Sequence, residues 1–162
     1  MKTLAHIKIM EYEVCDVVET EAEMLANLRV ASMKESLKSI GRFEPERAKK
    51  RFLDTFSHVN TKKVLVNNML AGFYVLTREN TSIYINHLYI HPFYQGNKIG
   101  SSVLMSIKRH ANDNSLVLRV GALRGSKANN FYLSHGFIYT HEEEWDIYYE
   151  YNSANKSFQA DR

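Results

Sequence analysis

Ile83-Tyr-Ile-Asn-His-Leu-Tyr-Ile-His-Pro-Phe-Tyr-Gln-Gly-Asn-Lys-Ile-Gly-Ser-Ser-Val-Leu-Met-Ser-Ile-Lys108 is the stretch around which the rest of this chain is organised. Ile83 to Ile90 is rich in β-branched and aromatic residues, the composition of a strand. Pro92 ends any ladder, because it has no N–H to donate. A polar loop with two glycines follows, from Gln95 to Gly100. From Ile99 the apolar period becomes helical: Ile99, Val103, Ile107 and Ala111 recur every four residues, with Leu104 beside them. The predicted order is strand, glycine loop, helix.

That order suits an anion. The first turn of a helix has unpaired N–H groups and the positive end of the dipole. Gly96 and Gly100 carry no side chain, so a phosphate can come close to the backbone. A Walker loop requires Gly-Lys-Ser/Thr at its end, and Gly100 is followed by Ser101, so that pattern fails. The dinucleotide pattern Gly-x-Gly-x-x-Gly fails as well, since the glycines here are Gly96 and Gly100 only.

The loop Gln95-Gly-Asn-Lys-Ile-Gly100 resembles the Gln/Arg-x-x-Gly-x-Gly/Ala loop of the GCN5-related N-acetyltransferases, whose backbone amides hold the pyrophosphate of acetyl-coenzyme A. Lys98 stands where that family has its first glycine, which either strains the loop or puts a cation beside the phosphates. Further on, Ser126-Lys-Ala-Asn-Asn-Phe-Tyr-Leu-Ser-His-Gly-Phe137 resembles the family's later motif, Ala-x-x-Phe/Leu-Tyr-x-x-x-Gly-Phe. Ala128, Phe131, Tyr132, Gly136 and Phe137 fall on it. The motifs come in the family's order, with room between them for a helix and one strand. The resemblance covers residues 60–151 directly and the first third of the chain by architecture.

Length and composition set the outer bounds. The chain has 162 residues, 44% of them hydrophobic, with two prolines and seven glycines, which predicts one folded domain over residues 1–151 and a polar tail over 152–162. The net charge of +3 is too small and too scattered to argue for nucleic acid. The lone Cys15 has no internal disulfide partner and reads as an inert thiol in a reducing compartment. No apolar run approaches the roughly 20 residues of a membrane helix, and Met1 to Lys8 lacks the apolar core of a signal peptide. A cytoplasmic location without a membrane anchor is the expectation.

In chain order, residues 4–10 alternate as a first strand, and a helix is expected from Asp16 to Ile40 with Val30, Met33, Leu37 and Ile40 on its stripe. Gly41 would stop it. Pro45 would start another helix, with Ala48, Phe52, Leu53 and Phe56 on its buried face. Residues 62–67 and 70–77 read as a hairpin around Asn67-Asn68. Leu116 to Val120 reads as a strand, 126–135 as a short helix with Ser126 as N-cap, and the chain closes with a hairpin across Glu142-Glu-Glu144. The result is an α/β fold with a mixed sheet, in the order β-αα-βββ-α-β-α-ββ. The resemblance implies that strands 81–90 and 116–121 are parallel and splay apart, with the backbone of Leu88, Tyr89 and Ile90 pairing with the pantetheine arm of the cofactor.

What the resemblance implies for function is acetyl transfer from acetyl-coenzyme A, without a metal, to a primary amine of a small molecule, amino acid or peptide. Gln95, Gly96, Asn97, Lys98, Ile99, Gly100 and Ser101 would hold the pyrophosphate. Tyr132 occupies the position of the family's general acid. The family's central-strand glutamate is replaced here by Asn86 and His87, and His87, with an ordinary pKa of about 6.5, is the candidate base. The family's pantetheine-binding asparagine falls on Gly125, and Asn129 is the candidate substitute. His135 is given no role. The pair of helices after strand one lines the acceptor groove in this family, so the run Arg42 to Arg47 is either a specificity element or a solvated turn. The acids Glu142, Glu143, Glu144 and Asp146 either attract an amine or form a solvated loop. Other readings are a non-catalytic acyl-coenzyme A sensor, or a toxin acetylating aminoacyl-tRNA, for which Lys49, Lys50, Arg51, Lys62 and Lys63 would have to supply a basic face. A homodimer through the last strands is also implied.

Overall fold

The computed structural model describes residues 10–154. The strand expected over 4–10 lies outside the described residues, except Met10, as does the tail beyond residue 154. The first described strand, β1, is Glu13–Asp16, and helix α1 runs from Ala22 to Ser39 after a short turn at Glu19–Glu21. The helix therefore starts later than its apolar pattern suggests. Glu21 anchors its start, accepting the Val18 N–H at 3.1 Å and Lys63 Nζ at 2.7 Å. Gly41 (φ 70) stops it: the Gly41 N–H returns to Lys38 O at 3.1 Å and that of Arg42 to Leu37 O at 2.8 Å, the paired closure that a left-handed residue permits.

Helix α2 (Pro45–Asp54) starts at Pro45, where the missing N–H costs nothing. Strands β2 (Thr61–Val66) and β3 (Met69–Arg78) form the expected hairpin, with Asn67 and Asn68 both left-handed. There follow β4 (Ser82–Ile90), α3 (Ile99–Asp113), β5 (Val117–Leu123), α4 (Lys127–Ser134), β6 (Ile138–Glu142) and β7 (Asp146–Tyr151). The strands form one sheet in the order β1-β2-β3-β4-β5-β7-β6, antiparallel except for β4 against β5.

The sheet separates two cores. On one face α3 buries Ile99, Val103, Leu104 and Ile107 against Ile83, Ile85, Leu118 and Val120, and Tyr132 and Phe137 join them. On the other face Leu25, Ala26 and Leu28 of α1 and Phe52 of α2 pack on Phe73. Two expectations need correction. The stripe Val30, Met33, Leu37 and Ile40 is only half-buried, because the N-terminal part of α1 is the part that rests on the sheet. Leu53 is exposed and Phe56 half-buried, leaving Ala48 and Phe52 as the inward face of α2. Among the described residues no helix is long and apolar enough to cross a membrane.

Candidate active site

Strands β4 and β5 pair from Ser82↔Val117 to Ile85↔Val120 and then separate. A bulge in β4 sits at the parting. On β3, Val75 faces His87 while its neighbour Leu76 faces Ile85, so Asn86 is the extra residue. Side chains alternate along a strand, so one extra residue reverses which face the following ones occupy. Ile83 and Ile85 point into the α3 core, whereas Tyr89 packs on the α1/α2 core and His87 lies edge-on to Phe52, with ring centroids 5.4 Å apart. On the opposite lip, a Cβ on Gly121 would lie 2.8 Å from the Tyr148 ring and 3.2 Å from the Tyr84 hydroxyl. The bare backbone there lets both tyrosines close over β5.

The separation opens a cleft of ≈ 750 Å³ between the helix pair α1/α2 and the strands. Tyr132 reaches it from α4, and Asp146 and Trp145 reach it from the start of β7. Tyr132 is 4% exposed and packs edge-on against Phe131 at 5.3 Å. Burial, and secondarily Tyr89 and Tyr84, push its phenol well above the ordinary range, so it stays protonated. His87 is shifted the other way: burial and then the Arg29 guanidinium lower it to about 4. The expectation of a base titrating near neutrality is therefore corrected; the imidazole is neutral at pH 7 and weakly basic. Its Nδ1 lies 3.5 Å from the Tyr89 hydroxyl, which is also 3.5 Å from Arg29 Nε. Arg29 itself is pinned to the Ala48 carbonyl.

The glycine loop has the expected shape. Gln95 Nε2 donates to Ile90 O at 2.8 Å, and Asn97 Nδ2 to Tyr94 O at 3.1 Å, so both side chains brace the loop. Lys98 takes the left-handed conformation (φ 62) that a glycine would adopt without strain, with its side chain exposed. Ser102 N–H is the first in α3 to find a helical acceptor, Lys98 O at 3.0 Å, so the N–H groups of Ile99, Gly100 and Ser101 lie in the unpaired first turn. A Cβ on Gly100 would lie 3.6 Å from Ile90 and 3.7 Å from Phe131, inside the cradle between the end of β4 and α4. These features fit a pyrophosphate.

Other predicted residues fall less simply. Leu88 lines the cleft, while the Ile90 carbonyl is already held by Gln95. Asn129 donates to Leu123 O at 2.9 Å and accepts from Tyr149 Oη at 2.8 Å, so its carboxamide is spent on joining α4 to β5 and β7. Ser126 holds the N-cap position without a side-chain cap. His135 does have a contact: its Nε2 lies 3.1 Å from Ser101 Oγ. Of the acids, Glu142 pairs with Arg124 and Glu143 accepts from Tyr148, but Asp146 faces the cleft. Arg29, Tyr84 and Tyr148 are cleft residues that sequence reasoning missed. An arginine among the apolar positions of α1 was the one available signal.

The lysines proposed as a basic face are largely neutralised in place. Lys49 pairs with Glu23 and Lys50 with Asp54, each at 2.7 Å, Lys63 pairs with Glu21, and Lys62 with Asp16. Among the described residues no group of three or more His, Cys, Asp and Glu is gathered as a metal site.

The chain matches a family described as Acetyltransferase (GNAT) domain over residues 31–146. It belongs to this family of acetyltransferases. Among solved structures it is similar to the PaiA N-acetyltransferase of Thermoplasma acidophilum in complex with coenzyme A: 18% identity, 88% of this chain and 99% of that one covered, TM-score 0.74. A GCN5-related N-acetyltransferase from Rhodopseudomonas palustris gives 18% identity, coverage of 91% and 99%, and a TM-score of 0.73. The ribosomal-protein-S18-alanine N-acetyltransferase of Escherichia coli gives 12% identity, 88% and 94%, and 0.67. At these identities the likeness is one of fold. Comparison with curated protein sequences found no match.

Proposed function

We propose that the protein transfers the acetyl group of acetyl-coenzyme A directly to a primary amine of a small molecule, amino acid or peptide. The observation that carries this reading is the parting of β4 from β5 after Ile85, with Tyr132 lining the cleft and the unpaired first turn of α3 at the end of β4. Acetyl-coenzyme A supplies a thioester whose carbonyl carbon an amine can attack. The amides of Gly96 to Ser101 would hold its pyrophosphate, and the edge of β4 that β5 leaves unpaired, at Leu88 and Tyr89, its pantetheine arm, with the Ile90 carbonyl taken by Gln95. The amine must arrive neutral, and in attacking it forms the C–N bond as the C–S bond breaks. The buried phenol of Tyr132, held protonated, donates a hydrogen bond to the departing sulfur and passes it a proton, which the proton shed by the attacking nitrogen replaces.

His87, neutral and braced by Tyr89 and Phe52, serves better as a wall of the acceptor site than as a base. A base with a pKa of about 4 would take a proton from an alkylammonium only against a gradient of several kcal/mol. The amine's proton is instead lost to water at the mouth of the cleft. The exposed edge strand β6 is the surface on which the implied dimer would form. The free Cys15 fits a cytoplasmic setting.

The test is calorimetric titration with acetyl-coenzyme A, followed by thiol release with a panel of amines. Micromolar binding with amine-dependent thiol release is expected. Binding without release under any amine would favour the sensor reading. Tyr132→Phe should bind the cofactor normally and lose ~10²-fold in turnover; unchanged turnover would remove its role as acid.

A further inference from the structure

We propose that the acceptor is a primary amine that also carries an anionic group, carboxylate or phosphate, with Arg51 and Arg42 receiving the anion and Asp146 the amine. This rests on the acetyl-transfer reading and narrows its substrate.

The charges facing the cleft are sorted by position. Arg47 and Arg51 lie one turn apart on α2 and both line the cleft, while the neighbouring Lys49 and Lys50 point away into ion pairs with Glu23 and Asp54. The helix therefore turns its guanidinium groups toward the cleft and commits these ammonium groups to ion pairs away from it. Guanidinium is the cation that binds carboxylate or phosphate through two parallel N–H bonds.

The cleft charges also differ in whether the protein satisfies them. Arg29 is bound to the Ala48 carbonyl and Tyr89, and Arg47 is paired with Glu44 at 3.4 Å. The Arg42 guanidinium carbon lies over the Trp145 ring, 3.9 Å from its centre, and the guanidinium N–H groups have no hydrogen bond or ion pair among the described residues. The Arg51 guanidinium and the Asp146 carboxylate have neither a hydrogen bond nor an ion pair among the described residues. Asp146 is half-buried. A carboxylate in that position is costly without a counter-charge, and burial and Glu143 raise its pKa while Arg51 and Arg42 oppose the rise. The protein thus presents an open cation on α2 and an open anion on β7 across one cleft. A ligand complementary to both has an ammonium at one end and an anion at the other. A polycation would meet Arg29, Arg42, Arg47 and Arg51 together and be disfavoured.

The test uses matched acceptor pairs in the thiol-release assay with the whole chain: γ-aminobutyrate against its amide, phosphoethanolamine against ethanolamine, and spermidine as the polycation. Rates are compared per unit of free amine. The anionic member of at least one pair should show a kcat/KM higher by ~10-fold or more, and the two pairs separate carboxylate from phosphate. Arg51→Gln, at an exposed position, should bring that preference to within about 2-fold while the Kd for acetyl-coenzyme A stays unchanged. Asp146→Asn should raise KM for every acceptor. Equal or better use of the neutral amines or of spermidine would overturn the inference, as would a preference that persists in Arg51→Gln. If acetyl-coenzyme A binds but no acceptor of any pair is bound or turned over, the inference falls and the cofactor assignment stands. If acetyl-coenzyme A itself does not bind, the transfer reading fails.

Discussion

Gly100 offers a test in which two substitutions at one position give opposite results. Its missing Cβ would sit 3.6–3.8 Å from Ile90 and Phe131, ordinary van der Waals contact, so Gly100→Ala fits without moving either neighbour. The residue lies in α3, where replacing glycine by alanine stabilises a helix by up to about 1 kcal/mol. The alanine variant should therefore melt slightly higher and bind acetyl-coenzyme A within a few-fold of the parent. In Gly100→Glu the side chain must extend past the methyl position, and Ile90 and Phe131 leave it only the outer face of the first turn. An acid there suits the helix dipole, so the fold should survive. The same acid would lie on the order of 5 Å from a bound phosphate; at an effective dielectric of about 20, one pair of unit charges at that distance repels by about 3 kcal/mol. That corresponds to ~10²-fold in Kd. Calorimetry on both variants, with thermal melting as the control for folding, decides the matter. A folded glutamate variant that binds within tenfold of the parent would refute the assignment of this loop to the pyrophosphate.

Two other predictions concern charge and strain. His87 has a folded pKa of about 4 against an ordinary 6.5, so above pH 6.5 both folded and unfolded states hold it neutral. As pH falls from 6.5 toward 4, the unfolded chain takes up the proton first, and stability is lost over that window by up to about 3 kcal/mol. His87→Gln should flatten this acid slope in denaturant titrations, most clearly between about pH 6.5 and 5, where the paired carboxylates Glu21 and Glu23 are still ionised and His135, which burial also lowers, supplies the remainder; an unchanged slope would show that His87 is not the group responsible. Lys98→Gly should relieve a left-handed residue that costs about 1–2 kcal/mol, offset in part by the freer unfolded chain. Its Kd for acetyl-coenzyme A should weaken by ~3-fold at low salt and match the parent at high salt, where an exposed ammonium is screened. Tighter binding at low salt would mean that the glycine geometry matters more than the charge.

Much of this protein was legible because its signals are local. The change from a period of two to nearly four across Pro92, the Asn67-Asn68 turn, Gly41 as a helix stop and Pro45 as a helix start each depend on a few neighbouring residues, and each lies where its own backbone chemistry puts it. The start of α1 was misplaced for the same reason: residues 16–21 are polar enough to continue a helical pattern, and only pairing with β2 shows that Asp16 ends a strand. The burial of α1 was likewise decided elsewhere, by how much of the helix rests on the sheet.

The amino-acid sequence by itself determined the order of the elements, the glycine loop at the head of α3 and the tyrosine that follows on α4. Only the tertiary structure decided what lies across from what. The bulge at Asn86 exists in the register between β3 and β4, and it alone turns His87 toward Phe52. Burial beside Arg29, contributed by a helix far away in sequence, makes that histidine a weak base. Arg51 and Asp146 are unremarkable charges in the linear chain, one in a basic run and one after a cluster of acids. They line the same cleft because α2 covers the face of the sheet on which β4 and β5 part. Charge complementarity acts through space, and the sequence orders residues only along the chain.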